Sequence, residues 1–254
     1  MLLAIDLGNS ETTVGVWDGA EWRAVWRRET SIVGRSDTFD IWLRTNLAES
    51  QLATGVEGAI LASVVPAQTE GVERAVRTVC GMPTVQLRHD PRLGMEIRYS
   101  PPDSLGADRL ANALGARALL TMPALVVDVG TATTFEALDR GGAFVGGAIM
   151  PGPKLMAAAL AHGTAALPEA AIELPAGPIG GSTLTGLQSG IVLGHAAAIQ
   201  SLATSMVAEL GADTTVVATG GFGERFLPLC PVLSRYLPTL TLDGLVVAFG
   251  LLSA

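Results

Sequence analysis

The sequence has 254 residues and a formal net charge of −8, with 49% hydrophobic and 16% charged residues. This composition excludes a disordered chain, and the acidic excess with scattered arginines argues against nucleic acid as a partner. The N-terminal segment lacks the basic region of a secretory signal, and uninterrupted apolar runs stay below the roughly 18–20 residues of a membrane span. We therefore expect a cytoplasmic protein that does not bind or cross a membrane.

The first half of the chain opens with short strands. Apolar runs and alternation predict strands at residues 2–5, 12–17, 21–29, 59–65 and 85–87. Helices are predicted at residues 37–50 and 67–80. Because Asp18-Gly19 is a typical hairpin pair, the first three strands are expected to form an antiparallel meander.

The second half repeats this order. Strands are predicted at residues 125–127, 133–139, 143–149 and 214–218. Helices are predicted at residues 105–121, 155–162, 184–210 and 243–253. The long helix carries Gly186, Gly190 and Gly194 at four-residue spacing, and such small residues predict close packing against another helix.

Two similar turns follow the first strand of each half. Asp6-Leu-Gly-Asn-Ser and Asp128-Val-Gly-Thr-Ala each follow an apolar strand, and the offset that aligns their aspartates also aligns Thr12 with Thr134. A second copy that opens the same strand–turn–strand pattern indicates an internal duplication. We expect a first lobe at residues 1–117 and a second lobe at 118–254, the second carrying the helices of a dimer interface.

The lysine content excludes several kinds of nucleotide site. Lys154 is the only lysine, and it lies between Pro153 and Leu155. A P-loop needs a Gly-Lys-Ser/Thr sequence and a protein kinase needs a strand lysine, so both are excluded or disfavoured. A dinucleotide fingerprint after a strand is also missing from the sequence. Phosphate would therefore be bound by backbone amides, hydroxyls, arginines and metal ions.

The two Asp-x-Gly turns have the chemistry to bind a polyphosphate. Glycine allows a close approach of the backbone, and turn amides point at phosphate oxygens. Asn9, Ser10, Thr12 and Thr13 add neutral donors, whereas Asp6 must act through a cation or a water. A pair of such turns can hold ATP with a cation, which is what phosphoryl transfer mainly requires.

A candidate general base lies at the start of the helix that follows Leu105. Asp108 and Arg109 fall in its first turn, where free amides attract anions. Asp108 is expected either to take the proton of an acceptor hydroxyl or simply to stabilise the helix N-terminus. Arg109 suits an anionic acceptor better than a sugar.

A longer set of motifs resembles the type III pantothenate kinases, in the family order and over essentially the whole chain. The motifs are Asp6-Leu-Gly-Asn-Ser, Ser63-Val-Val-Pro, Gly106-Ala-Asp-Arg, Asp128-Val-Gly-Thr-Ala-Thr-Thr, Gly146-Gly-Ala-Ile-Met-Pro-Gly, Thr164-Ala-Ala-Leu-Pro, Gly181-Ser-Thr, Thr219-Gly-Gly and Leu240-Thr-Leu-Asp-Gly-Leu. The resemblance implies an α/β fold of two duplicated actin-like (ribonuclease H-like) lobes. Each lobe is a mixed sheet flanked by helices, and it opens with a three-stranded antiparallel meander.

The resemblance also implies the reaction, which is ATP-dependent phosphorylation of pantothenate, the first step of coenzyme A synthesis. Asp108 matches the general base. ATP contacts are implied for Asp6, Leu7, Gly8, Asn9, Ser10, Glu11, Thr12, Thr13 and Thr131. Pantothenate contacts are implied for Tyr99, Gly106, Ala107, Asp108, Arg109 and Thr183. The family works as a homodimer with the pantothenate site at the interface, so Thr183 is a candidate contribution of the partner chain.

The resemblance further implies two kinds of cation. Asp128 matches the ligand of a monovalent cation, potassium or ammonium, and Asp6 is expected to hold the Mg²⁺ that accompanies ATP, through water where needed. His89, His162 and His195 share no motif and are expected to have surface or packing roles.

Three positions depart from the family pattern. Glu11 replaces a small polar residue in the first turn, Ser10 replaces threonine, and Ser182 precedes Thr183 where asparagine is usual. An extra carboxylate beside phosphates weakens ATP binding or recruits a cation. Two alternatives to the pantothenate kinase therefore stay open: a catalytically weak regulator that binds ATP or a metabolite, and a kinase of the same fold for a sugar.

Overall fold

The computed structural model describes residues 1–33 and 36–253, and these form two compact units. The first unit contains Met1–Met95, Tyr99–Leu119 and the segment from Thr239 onward, within the described residues. The second unit contains Glu96–Arg98 and Leu120–Pro238.

Strands and helices alternate along the described chain much as the sequence predicts. The strands are β1 (Leu2–Leu7), β2 (Glu11–Trp17), β3 (Trp22–Glu29), β4 (Gly58–Ser63), β5 (Val85–Gln86), β6 (Ala124–Val129), β7 (Ala132–Leu138), β8 (Phe144–Gly146), β9 (Ile149–Pro151), β10 (Thr215–Thr219) and β11 (Arg235–Tyr236). The helices are α1 (Thr30–Val33), α2 (Ser36–Glu49), α3 (Pro66–Cys80), α4 (Ala107–Leu119), α5 (Pro153–Gly163), α6 (Thr183–Gln188), α7 (Gly194–Leu210), α8 (Gly223–Phe226) and α9 (Leu240–Leu252).

The first unit is built on a five-stranded sheet in the order β3-β2-β1-β4-β5. β1, β2 and β3 form the predicted antiparallel meander, while β4 and β5 run parallel to β1. Alternate residues of β1, Leu3, Ile5 and Leu7, are fully buried in one core with α2 and α3. Since side chains alternate across a strand, the opposite face of the sheet is left for α4 and α9, which contact β1 and β4.

The second unit repeats this topology in its own sheet, in the order β8-β7-β6-β10-β11. β6 and β7 are antiparallel, and β10 and β11 run parallel to β6. The third strand, predicted as one segment at 143–149, is two short strands that both pair with β7. It breaks at Gly146 and Gly147, whose φ angles of +138° and +158° interrupt the ladder. The repeated strand order confirms two duplicated lobes.

The strand registers correct the predicted alignment of the two turns. Asp6 pairs with Thr13, whereas Asp128 pairs with Thr134. Thr134 is therefore the counterpart of Thr13, not of Thr12 as the constant offset predicts. The first turn is one residue longer, because the Gly8 amide bonds to the Glu11 carbonyl at 3.1 Å, while the Gly130 amide bonds to the carbonyl of Ala132 at 3.0 Å.

The last helix does not follow the predicted division at residue 117. α9 belongs to the first unit because it packs backbone against backbone on α4. A Cβ on Gly115 would lie 2.5 Å from the Leu240 carbonyl, and a Cβ on Gly244 would lie 3.0 Å from the Gly115 amide. The side chains of Asn112 and Thr241 are hydrogen-bonded across the same contact at 2.7 Å. The first unit is thus discontinuous in sequence.

The long predicted helix runs from Thr183 to Leu210, with one turn of π-helix at Ser189–Leu193 between α6 and α7. Its length and composition would allow it to cross a membrane, a test that core helices of globular proteins also pass, so the expectation of a protein without a membrane span is not overturned. One face of it, with His195, Ala196, Ile199 and Ala203, is buried in the core of the second unit.

The glycines of this helix lie on its exposed side. A Cβ on Gly186, Gly190 or Gly194 would meet nothing within 4 Å among the described residues. The predicted close packing against another helix is therefore wrong within the described part of the chain.

Candidate functional site

The first turn is fixed from below by Thr30. The Thr30 hydroxyl donates to the Gly8 carbonyl at 2.6 Å, and its amide donates to the carbonyl of Ser10 at 3.1 Å. The buried hydroxyl of Thr12 lies 3.0 Å from that of Thr30. Asn9 and Ser10, at the tip of the turn, are exposed. The turn is therefore a fixed loop with its polar tip open to solvent.

The predicted ATP-contacting residues divide into two groups. Leu7 and Thr12 are fully buried, so only their backbone can reach a ligand. Asp6 and Thr13 are half-buried and directly opposite each other in the β1–β2 register. The unexpected Glu11 is exposed, with its carboxylate 3.7 Å from the guanidinium of Arg27. That ion pair partly compensates the charge that Glu11 brings to the turn, although a pair this exposed is weak.

Two distant segments support the second turn. The Gly152 amide donates to the carbonyl of Thr131 at 2.9 Å, and the Phe222 amide donates to that of Val129 at 2.9 Å. Thr131 itself is exposed. The turn that follows Asp128 is thus held by the residue before α5 and by the Gly-rich segment after β10. The sequence motifs contain both segments but do not indicate these bonds.

The Asp128 carboxylate lies over glycines. A Cβ on Gly130 would be 3.5 Å from Asp128 Oδ1, and a Cβ on Gly220 would collide with that oxygen and with the Val129 backbone. Gly220 has φ +83°, which also favours glycine. Because glycine has no Cβ, position 220 leaves room for the Asp128 carboxylate.

The donor set around Asp128 suits a hard cation. Among the described residues, groups of three or more histidine, cysteine, aspartate or glutamate side chains that could hold a metal ion are not found. A single carboxylate with backbone carbonyls and hydroxyls offers oxygen ligands only, which alkali and alkaline-earth cations prefer over zinc or copper. The residues present therefore fit a cation that takes oxygen ligands at Asp128.

A buried histidine supports β7 next to the second turn. His195 Nε2 lies 2.9 Å from the Thr133 hydroxyl, and the imidazole packs edge-on against Phe226 at 5.1 Å. Burial lowers the pKa of His195 to about 4, so the ring is neutral near pH 7. This is the packing role that the sequence predicts for this histidine.

The candidate base lies at the start of α4. Asp108 Oδ1 accepts a hydrogen bond from the Arg109 amide at 2.8 Å, which is the helix-stabilising role considered from the sequence. Burial raises the pKa of the Asp108 carboxyl, while the Arg109 amide and guanidinium oppose the shift. A carboxylate that is costly to keep charged is a stronger proton acceptor. The two roles are thus compatible.

Arg109 is the unusual neighbour. Its side chain is only 5% exposed, and the guanidinium lies 5.6 Å from the centroid of the Tyr99 ring. A guanidinium stacked on an aromatic ring is positioned for bidentate recognition of a carboxylate. The structure therefore brings Tyr99, Asp108 and Arg109 together, as predicted for an acceptor site.

A groove of about 850 Å³ adjoins this region within the first unit. Gly106 and Ala107 line it together with Ser63 at the end of β4 and with Pro66 and Thr69 at the start of α3. The volume falls within the usual range for a small-molecule site. Two of the predicted pantothenate-contacting residues are thus on the wall of an adequate groove.

The remaining predicted contact, Thr183, is in the second unit. It is exposed at the first position of α6, where the Ser182 hydroxyl accepts from the Thr185 amide at 3.2 Å. The Thr185 hydroxyl in turn accepts from the Ser182 amide at 3.0 Å. Ser182 is therefore a helix cap, and serine serves there as well as asparagine.

Comparison with known proteins identifies relatives over nearly the full length. A family model described as type III pantothenate kinase matches residues 2–205. The chain is 37% identical over 247 residues to a type III pantothenate kinase from Phenylobacterium zucineum, covering 97% of this chain and 96% of that protein. It is 36% identical over 249 residues to a type III pantothenate kinase from Caulobacter vibrioides, covering 97% and 95%.

Two solved structures share the fold at low sequence identity. A Campylobacter jejuni protein described as a Baf family transcriptional activator aligns with a TM-score of 0.60 at 18% identity, covering 98% of this chain and 97% of that one. A Sinorhizobium meliloti protein described as a 2-dehydro-3-deoxygalactonokinase aligns with a TM-score of 0.58 at 14% identity, covering 98% and 99%. These similarities confirm the actin-like, two-lobed fold and nothing finer.

Proposed function

The chain belongs to the type III pantothenate kinase family, and on that premise we propose which residues bind the substrates and which take part in the reaction. It is an ATP-dependent kinase that phosphorylates pantothenate in coenzyme A biosynthesis. The roles of its residues, its cations and its assembly are inferred from the geometry above.

Asp108 is the general base that accepts the proton of the pantothenate hydroxyl. The observation that carries this assignment is a half-buried carboxyl at the start of α4, whose pKa is raised by burial and which lies beside the buried Arg109. Arg109, stacked near Tyr99, binds the pantothenate carboxylate. Gly106 and Ala107 form the adjacent wall of the groove, and Thr183 of a partner chain completes the pantothenate site.

The first turn binds the phosphates of ATP. Its exposed tip offers backbone amides and the side chains of Asn9 and Ser10, and the rigid support from Thr30 means that little ordering is needed on binding. Leu7, Gly8, Glu11 and Thr12 contribute through their backbone, and Thr13 adds a hydroxyl. Asp6 binds the Mg²⁺ that accompanies ATP through water, and Thr131 of the second turn contacts the nucleotide.

Asp128 holds the activating monovalent cation, potassium or ammonium. The oxygen-only donor set supports this assignment, and the close approach of Gly220 fixes the position of the carboxylate. A bound monovalent cation would reduce the negative charge that gathers beside the ATP phosphates.

The protein works as a cytoplasmic homodimer. The exposed glycine stripe of the stretch from Thr183 to Leu210, defined by Gly186, Gly190 and Gly194, supports this assembly because such a stripe allows close approach of a second helix. Leu184 and Leu202 of the same helical stretch are also exposed, at 45% and 36%. Covering this apolar helix in a dimer accounts for a composition that otherwise resembles a membrane span.

The test is release of ADP with pantothenate, with and without K⁺, for the wild-type protein and Asp108→Asn. We expect release to depend on pantothenate and to rise with K⁺, and we expect the variant to lose roughly 10²–10⁴-fold in kcat with its fold intact. Asp18→Asn, in a hairpin turn of the same unit, is the matched control and should remain active. Near-normal turnover by Asp108→Asn would contradict the assignment of the base.

The same assay separates the alternatives. ADP release with a sugar but not with pantothenate would indicate a sugar kinase. ATP binding without release of ADP on any acceptor would indicate a regulator.

A further inference from the structure

Two exposed cations share one aromatic ring in the second unit. The ammonium of Lys154 and the guanidinium of Arg225 each lie 5.6 Å from the centroid of the Phe222 ring. The two charges can thus be no farther apart than twice that distance. Both side chains are exposed, and within the described residues neither forms an ion pair with a carboxylate. Among the described residues, the Arg225 guanidinium donates a hydrogen bond to the Ile172 carbonyl, at 3.3 Å.

Backbone hydrogen bonds anchor this group to the second turn. The Phe222 amide bonds to the Val129 carbonyl, and Gly152, two residues before Lys154, bonds to that of Thr131, both at 2.9 Å. The segment around Phe222 is further fixed by Tyr236, whose hydroxyl donates to the Gly220 carbonyl at 3.1 Å. Both cations are therefore held beside the turn that bears Asp128 and Thr131.

The electrostatics of this group call for an anion. Two like charges held near one ring repel each other, and the ring offsets this repulsion by only about 0.5–1 kcal/mol per exposed cation. A chain of net charge −8 has many carboxylates that could neutralise its only lysine, yet none is paired with it in the described residues. Since each cation already lies against the ring, the group presents positive charge to a ligand.

We propose that Lys154 and Arg225, held by Phe222, form a phosphate-binding pair that contacts the triphosphate of the nucleotide beside the second turn. The proposal rests on the proposed function insofar as the nucleotide is ATP. It adds positive charge to a site whose other donors are neutral amides and hydroxyls.

The test is equilibrium binding by calorimetry without pantothenate. The probes are a non-hydrolysable ATP analogue, inorganic tripolyphosphate and adenosine. Lys154→Met and Arg225→Gln should each weaken binding of the first two probes roughly tenfold, as expected for a hydrogen bond to a charged group, and leave adenosine binding unchanged. Lys154→Arg should recover most of the affinity. In turnover assays the KM for ATP should rise by a similar factor, with a smaller change in kcat.

The controls make the outcomes distinct. Arg140→Gln removes the same charge from an exposed ion pair with Asp213 in the same unit and should bind all probes like the wild type. Phe222→Leu keeps both cations but removes the ring, which also packs against the core of the second unit; it should weaken tripolyphosphate binding in protein that still unfolds cooperatively. Unaltered affinity for tripolyphosphate in Lys154→Met and Arg225→Gln overturns the proposal. A loss confined to adenosine also overturns it, because the pair would then recognise the base.

Failure of this proposal and failure of the proposed function give different results. Wild-type protein that binds the ATP analogue through the pair but releases no ADP with pantothenate leaves the pair intact and removes the function. Normal pantothenate-dependent turnover, with tripolyphosphate affinity unchanged in Lys154→Met and Arg225→Gln, leaves the function intact and removes the pair.

Discussion

The contact between α4 and α9 predicts that one added methyl group at Gly244 lowers the free energy of unfolding substantially. Gly244→Ala places a Cβ against the Ala111 carbonyl and within 3.0 Å of the Gly115 amide. Both neighbours are backbone atoms of a packed helix, so no side-chain rotation relieves the overlap. Gly250→Ala on the same helix is the matched control, because a Cβ there meets nothing within 4 Å.

The magnitude follows from two opposing effects. Overpacking a tight contact costs about 3 kcal/mol at the upper end of the usual range. Replacing glycine by alanine inside a helix returns up to about 1 kcal/mol. The Gly244→Ala protein should therefore lose about 2 kcal/mol of its free energy of unfolding, or roughly 4–8 °C in melting temperature for a domain of this size. Gly250→Ala should gain roughly 0.5 kcal/mol or be neutral.

Thermal and urea unfolding followed by circular dichroism measure both variants. Because two units are present, the transition of the first unit is the relevant quantity and must be resolved or fitted separately. Equal stability of the Gly244→Ala and Gly250→Ala proteins would refute the backbone contact between these helices.

Three further changes test other parts of the structure. Burial raises the Asp108 pKa above its ordinary 3.8, so ionised Asp108 lowers stability. Asp108→Asn should melt above wild type at pH 7, and the gap should close as pH falls through the raised pKa to 3.8. Gly220→Ala forces a Cβ against Asp128 at a positive φ; it should lose about 1–3 kcal/mol and K⁺ stimulation of ADP release. Burial lowers the pKa of His195 from 6.5 to about 4, so urea unfolding should show wild type losing about 3 kcal/mol of stability as pH falls through that window. His195→Gln, whose side-chain amide can replace the imidazole as the partner of Thr133, should show no such loss. A flat pH profile for wild type would contradict the last expectation.

The sequence predicts most of the fold because its signals are local. Apolar strands, the Asp18-Gly19 hairpin and the repeated Asp-x-Gly turns each act over a few residues, and the structure confirms the meander in each unit. The alignment of Thr12 with Thr134 is wrong because a constant offset takes no account of the extra residue in the first turn.

Long-range contacts set the rest and leave weak local signals. The placement of α9 depends on the fit of Gly244 to Gly115, and sequence spacing does not show which helix a glycine faces. The same limit applies to the stripe at Gly186, whose pattern predicts a neighbour that the described chain does not provide.

In the candidate site, too, local sequence signals identify some residues and long-range contacts determine the others. Asp6, Asp108 and Asp128 are found from the sequence because each lies near the end of a strand or the start of a helix in a motif, and their chemical roles stay predictions. Thr30 was missed, since its bond to Gly8 joins residues 22 positions apart without a shared motif. The Lys154–Phe222–Arg225 group was also missed, because two segments separated by the whole of α6 and α7 meet there.

The discontinuity of the first unit has a consequence for how the chain emerges from the ribosome. Residues 120–238 form the bulk of the second unit, and all of them leave the exit tunnel before α9 does. The helix that packs on α4 is therefore the last part of the first unit to be synthesised. The sheet of the second unit can form while α4 is still uncovered by α9. Synthesis from the N-terminus therefore allows the second unit, which is inserted in the sequence of the first, to fold before the first unit is complete.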